Sequence, residues 1–231
     1  MDLKYVVNNN KYSNIKQILR DEFNISSRLF IKLKNQRHIF LNGKIISCKE
    51  NIYINDIVEV DLNFIEDNSN IVSTKMDLDI LYEDEYMLIV NKAAGIAVHP
   101  SILHYDTSLS NGVKYYYDTI DLHRKIRIVN RLDRDTSGIV IFAKNEYIQE
   151  CLTYQMKAKE FKKEYIGILE GILDKKSGTI NAPIARKERK YYRKMCWFKW
   201  TRINNPLWRN KRNCKFKRCT FYIRNWKNAS N

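Results

Sequence analysis

Apolar residues recur at helical spacing in two consecutive windows near the start of the chain. In SNIKQILRDEF (13–23) they fall at Ile15, Ile18, Leu19 and Phe23, with Ser13 placed as the cap. In SSRLFIKLKNQ (26–36) they fall at Leu29, Phe30 and Leu33, with Ser26 as the cap. The period then changes. IFLNGKII (39–46) is two short β-type runs around Asn42-Gly43, a dipeptide that accepts the positive φ angles of a tight hairpin. NDIVEVDL (55–62) alternates apolar and polar as a half-buried strand does. Residues 63–75 are polar and read as a linker. Beyond them LIV, IVIFA and YIGILEGI are short β-rich runs, and NEYIQECLTYQMKAKE (145–160) returns to helical spacing through Tyr147, Ile148, Cys151 and Leu152. The regular strand–helix alternation of a doubly wound sheet is missing, so the predicted class is α+β.

Composition changes the picture in one direction. The 231 residues carry 41 Lys and Arg against 26 Asp and Glu, a net charge of +15 that points to nucleic acid. No apolar run approaches the roughly 20 residues of a membrane span, and the N-terminus shows no signal-peptide core. Five cysteines include no CxxC pair and read as reduced thiols, so a cytoplasmic protein without a disulfide or metal framework is expected. The charge is uneven, however. Residues 190–231 hold 13 Lys and Arg, no Asp or Glu and all four Trp, whereas all seven Gly precede them. This tail suits a basic, aromatic RNA-binding extension.

The residues with most chemical potential stand between two apolar runs. Asn130-Arg131-Leu132-Asp133-Arg134-Asp135-Thr136-Ser137-Gly138 packs two carboxylates and two guanidiniums into five positions, followed by turn chemistry. A carboxylate flanked by arginines stays ionised at neutral pH and suits a nucleophile or base, although Arg-Asp pairs in a turn also serve as structural ion pairs. Arg28, Lys32, Lys34 and Arg37 share or flank the second helix, where they form either a phosphate-binding face or a solvated one. His38 and His99 are lone histidines, more ordinary as polar residues than as ligands, and Tyr115, Tyr116 and Tyr117 suit packing better than base stacking.

NRLDRDTSG followed by IVIFAKN resembles the catalytic motif of the RluA-type RNA pseudouridine synthases, which reads H-R-L-D-x-x-T-S/T-G, an apolar run and A-K. Two more blocks agree in order: YEDEYMLIVNKAAGIAVHP (82–100), and KKEYIGILEG with GTINAPIAR (162–186). The N-terminal part resembles the S4 RNA-binding domain that often precedes this catalytic domain. The resemblance covers about residues 12–188. It implies an S4-like domain plus linker (1–75) and a catalytic domain (76–188) with a mixed, mainly antiparallel sheet flanked by helices. It further implies conversion of specific uridines in ribosomal or transfer RNA to pseudouridine, by a monomer without metal or other cofactor. Position by position, Asp133 matches the catalytic aspartate, Tyr165 the tyrosine whose ring lies against the target base, and Arg131 the arginine that holds the flipped-out nucleotide. Arg28, Lys32, Lys34 and Arg37 would then meet RNA phosphates. Asn130 replaces the family's usual His, and Ala93 its usual Pro. The alternative is an S4-type RNA-binding protein without catalysis.

The resemblance stops after Arg186. The family continues to an E-T-G-R/K-T-H-Q-I-R block whose last basic residue sits beside the aspartate, and this chain has its anomalous tail instead. Tryptophan has a single codon, TGG, so a one-base shift turns each tail Trp into Gly. AGA followed by A becomes a Glu codon. With AT-rich codons the shifted tail reads on to ETGKTHQ. Residues 189–231 are therefore expected to be an out-of-frame translation. Such a truncated chain is expected to be poorly folded and inactive beyond about residue 76, with the N-terminal module still able to bind RNA.

Overall fold

A computed structural model of the chain describes residues 2–47 and 50–170, with the strand segments 184–186, 194–196 and 216–223. The chain divides into two compact units, Met1–Tyr154 and Gln155–Asn231. The first unit begins with β1 (Asp2–Val6), α1 (Ile15–Asp21), α2 (Ser27–Asn35), β2 (Ile39–Leu41), β3 (Lys44–Ile45) and β4 (Ile57–Asp61). The strands form one antiparallel sheet in the order β1-β4-β2-β3. The apolar residues that set the helical period, Ile15, Ile18, Leu19, Leu29 and Leu33, close a core with Ile39, Val58 and Val60 of the sheet. Asn42 and Gly43 turn the hairpin with φ angles of 51° and 75°. Ser26 caps α2 by accepting from the Leu29 amide at 3.2 Å, as expected. The α1 cap lies one residue later than expected: Asn14 accepts from the Gln17 amide at 3.1 Å, and the Gln17 side chain in turn accepts from the Ser13 amide at 2.8 Å.

The same unit continues with β5 (Ile80–Glu83), β6 (Met87–Lys92), α3 (Leu109–Thr119), β7 (Arg127–Ile128), β8 (Gly138–Ala143) and most of α4 (Glu146–Lys157). Its second sheet is antiparallel in the order β5-β6-β8-β7. Leu88 and Val90 of β6 and Val140 and Phe142 of β8 pack with Leu109, Val113 and Tyr117 of α3. Residues 76–154 thus enclose a core of their own. The stretch expected to be a linker is also packed: Phe64, Glu66 and Asn68 are buried. Tyr117 is fully buried, which gives this tyrosine of the triplet a packing role.

The second unit contains β9 (Lys163–Glu170), β10 (Ile184–Arg186), β11 (Lys194–Cys196) and β12 (Phe216–Ile223). β9 pairs with β12 and β10 with β11, both antiparallel. Among the described residues every ladder is antiparallel, which agrees with the α+β class. Most of the residues expected to be out of frame lie outside the described ones; β11 and β12 are the described parts of that segment.

Candidate active site

The loop between β7 and β8 carries Arg131 and Asp133, and three sets of bonds hold it. At its start Asn130 is buried and clamps the edge of β8. Its Nδ2 donates to the Ile139 carbonyl and its Oδ1 accepts from the Ile141 amide, both at 2.9 Å. An imidazole has one donor and one acceptor on separate ring nitrogens, whereas the amide presents both side by side to one strand. This is a physical reason for asparagine at the position where the resembling family has histidine. In the middle, Asp133 opens a turn closed by the Thr136 amide donating to its carbonyl at 3.1 Å. At the end Gly138 has φ 126°, a backbone region open only to glycine, and the chain can therefore swing directly into β8.

The third set comes from the 92–97 loop. The Lys92 side chain is buried, and its ammonium donates to the carbonyls of Ala93 and Ile96 at 2.8 Å and of Arg134 at 2.9 Å. The Gly95 amide donates to the same Arg134 carbonyl at 2.9 Å. Burial lowers the Lys92 pKa, an effect opposed by the nearby charges of Asp135 and Asp133. Lys92 was not singled out from sequence, because its partners are backbone carbonyls and leave no residue pattern. A shallow cavity of ≈ 230 Å³ opens beside these loops, lined by Leu78, Asp79, Val90, Lys92, Ile96 and Ser137 among others.

The four charges of the motif do not behave alike. Arg134 and Asp135 pair with each other on the surface, Nε to Oδ1 at 2.9 Å. They are the structural ion pair that the sequence left open. Arg131 and Asp133 are exposed, and neither side chain makes a hydrogen bond or ion pair with another described residue. A carboxylate on a fixed loop, without a side-chain hydrogen bond or ion pair of its own, is available to an incoming substrate. His99 lies in the electrostatic field of Arg131; partial desolvation first, and that positive charge second, lower its pKa. Among the described residues no group of three or more His, Cys, Asp and Glu could hold a metal ion. No helix among them is long and apolar enough to cross a membrane.

Tyr165 lies half-buried on β9, in the second unit, opposite Phe221 in the β9–β12 register. The four basic residues of the N-terminal module divide. Arg28, Lys34 and Arg37 are exposed. Arg37 occupies the left-handed position just past α2, with φ 61°. The Lys32 ammonium instead lies 2.8 Å from Glu66 and 3.2 Å from Glu146, and 4.1 Å from the centroid of the Phe64 ring. Its charge is compensated within the protein, and Arg28 Nε also lies 3.9 Å from Glu146. His38 contacts Asp61 through Nδ1 at 3.2 Å and packs edge-on against Phe64, an ordinary structural role.

A family model described as RNA pseudouridylate synthase matches residues 86–227, and so runs through most of the basic tail. An uncharacterized RNA pseudouridine synthase of Bacillus subtilis, YhcT, is 38% identical over 155 residues, covering 67% of this chain and 49% of its own length. The ribosomal large subunit pseudouridine synthase D of Blochmanniella floridana is 35% identical over 145 residues, covering 62% of this chain and 42% of its own. The human RNA pseudouridylate synthase domain containing 1 structure aligns with a TM-score of 0.40 and 24% identity over 48% of this chain and 40% of that one. The chain spans about half the length of the curated relatives it matches.

Proposed function

Because the chain belongs to the RNA pseudouridylate synthase family, we propose that it isomerises uridine in RNA with Asp133 as its catalytic carboxylate. The observation that carries this reading is the state of Asp133: exposed, unpaired with any described residue, and on a loop anchored at Asn130, Lys92 and Gly138. Isomerisation breaks the bond from N1 to C1′, rotates the base and joins C5 to C1′, with the C5 proton lost and N1 protonated. Asp133 acts at the sugar or the base during glycosidic cleavage. The base must first leave its stack, which costs a few kcal/mol. Arg131, exposed on the same loop two residues away, holds the extruded nucleotide, and the Tyr165 ring lies against the base. The reaction needs no metal or redox cofactor.

The N-terminal module acts as an S4-type RNA-binding domain through Arg28, Lys34 and Arg37, whose phosphate contacts supply affinity and orientation without sequence choice. The large-subunit ribosomal activity named for several relatives makes that RNA the first substrate to test. Tritium release from RNA labelled at uridine C5, with carbodiimide primer extension to locate the product, tests the assignment. An Asp133→Ala chain that still releases tritium would overturn it.

A second reading, an RNA-binding protein without catalysis, is favoured by the tail. Residues 190–231 lack acidic residues and glycine, and the E-T-G-R/K-T-H-Q-I-R block is missing from them. Out-of-frame translation accounts for both. Nucleotide sequence from codon 180 onward decides it, because only a frameshift leaves ETGKTHQ readable in the adjacent frame. On this reading the chain binds RNA and shows no turnover.

A further inference from the structure

We propose that Glu66 is a positioning residue that locks the basic face of α2 to the strand carrying the Asp133 loop, so that the two act as one rigid ruler on RNA. The proposal rests on the isomerase reading above for what the loop does, but its geometry is independent of it. Glu66 lies in the stretch that joins the two cores of the first unit, with its side chain 3% exposed. Toward α2 it accepts from Lys32 at 2.8 Å. Toward β7 it accepts from both terminal nitrogens of Arg127, Nη2 at 2.6 Å. A fork-to-fork pair of this kind fixes direction as well as distance. Glu146 of α4 closes the cluster, 3.2 Å from Lys32 and 4.0 Å from Arg127.

The bonds around Glu66 extend the lock in both directions. Arg124 donates to the Phe64 carbonyl at 2.6 Å, to the Leu62 carbonyl at 3.2 Å and to the Asn63 side chain at 2.8 Å. The Glu66 amide donates to the His123 carbonyl at 3.0 Å. Residues 62–66, which leave β4, are therefore stapled to residues 123–127, which enter β7. On the far side Ser26, the cap of α2, donates to Glu150 of α4 at 2.7 Å, and Tyr147 of α4 packs on the N-terminal core. From Arg127 the path to the site is short and fully bonded. Val129 donates to the Ile141 carbonyl at 2.8 Å, Asn130 clamps β8, and Asp133 follows three residues later.

A buried ionic cluster is a poor source of net stability but a good source of geometric uniqueness. Here it fixes the angle and distance between exposed Arg28, Lys34 and Arg37 on one side and Arg131 and Asp133 on the other. An RNA phosphate held by the first group then allows only a uridine at one separation to reach the second. Substrate choice would come from the length of structured RNA between the two contacts, not from reading bases.

The test uses the full chain and its Glu66→Gln and Lys32→Met variants. Each is titrated with in-vitro transcribed RNA hairpins that share one uridine-containing loop and differ only in stem length. The intact chain is expected to bind one stem length on the order of tenfold more tightly than the others, a coupling within the usual range for two linked sites. Both variants are expected to lose that preference. An intact chain that binds all lengths alike overturns the proposal, as does either variant that keeps the preference while losing affinity evenly. Should Glu66→Gln fail to fold, Lys32→Met carries the comparison, since it keeps the Arg127–Glu66 pair. The readout needs no turnover. A length preference in a chain that forms no pseudouridine refutes the isomerase reading and leaves the ruler standing.

Discussion

The junction around Glu66 and the loop carrying Asp133 are built from the same parts, carboxylates among basic side chains, only a few residues apart along β7 and its continuation. At the junction Glu66, Lys32, Arg127 and Glu146 pair with one another. Burial alone would raise the Glu66 carboxyl, but hydrogen bonds from Arg127 and Lys32 more than reverse this and bring its pKa down to about 2. In the loop one surface pair, Arg134 and Asp135, is internally satisfied, while the exposed Arg131 and Asp133 side chains make no hydrogen bond or ion pair with a described residue. The difference lies in the backbone. The junction brings segments sixty residues apart into contact around the side chains. In the loop Asn130 and Lys92 bond the main chain and leave the acidic side chain free. Fixed backbone with unpaired charge is the signature of a site; fixed side chains with full compensation are the signature of a joint.

The sharpest way to break this comparison is to remove the free carboxylate. On the proposed assignment, Asp133→Ala is expected to cut pseudouridine formation on the order of 10⁴-fold or more, as loss of a catalytic residue does elsewhere. Because the side chain bonds no described residue, the melting temperature and RNA affinity should stay nearly unchanged. A large drop in melting temperature would place Asp133 with the joint and not with the site.

Removing the compensated carboxylate should do the opposite. Glu66→Gln leaves Lys32 and Arg127 buried without a full counter-charge and is expected to cost roughly 3 kcal/mol, measured by denaturant unfolding. The pH dependence has a definite sign. The folded pKa is depressed below the ordinary 4.5, so the contribution is complete above about pH 4.5 and fades as pH falls toward 2. The intact and Glu66→Gln chains should therefore differ most at neutral pH and converge in acid. Divergence on acidification would show that Glu66 is neutral in the folded state.

The anchors of the loop are expected to show an intermediate effect. Asn130→Ala orphans the Ile141 amide and one acceptor contact at the Ile139 carbonyl, at a cost of about 1–3 kcal/mol. It should also loosen the amides of residues 131–137 in hydrogen exchange while leaving those of β4 protected. Equal loosening in both places would mean that the clamp serves the whole unit and not the loop.

How much of this was legible from sequence follows from the range of each signal. α1, α2 and the Asn42-Gly43 hairpin were readable because spacing, caps and turn residues are local. The motif loop was readable because its charges are contiguous. β1 was missed, since this edge strand of half-exposed and exposed positions gains its identity from β4, some fifty residues later. α3 was missed as well: LSNGVKYYYDT is weak by propensity, and only Leu109, Val113 and Tyr117 facing the sheet make it a helix. Glu66 and Asn68 looked like linker because their partners, Arg127 and the Ile126 amide, lie about sixty residues away. Polar residues paired at that range leave no periodic trace.

The smallest predicted effect separates fold from function at a single residue. α2 ends with the His38 amide donating to the Leu33 carbonyl at 2.9 Å and the Arg37 amide to the Lys34 carbonyl at 3.2 Å. This pattern of helix ending places Arg37 at φ 61°, where glycine is the favoured residue. An L side chain there costs roughly 1 kcal/mol. Arg37→Gly should therefore stabilise the chain by about that amount in denaturant unfolding. If the exposed guanidinium contacts a phosphate, the same change should weaken RNA binding evenly across sequences and lower the salt slope by about one. Stability and affinity would then move in opposite directions. A variant that gains stability with no loss of affinity removes Arg37 from the RNA face and leaves Arg28 and Lys34 to form it; one that loses both shows that the arginine packs against the module and that its strained backbone is offset there.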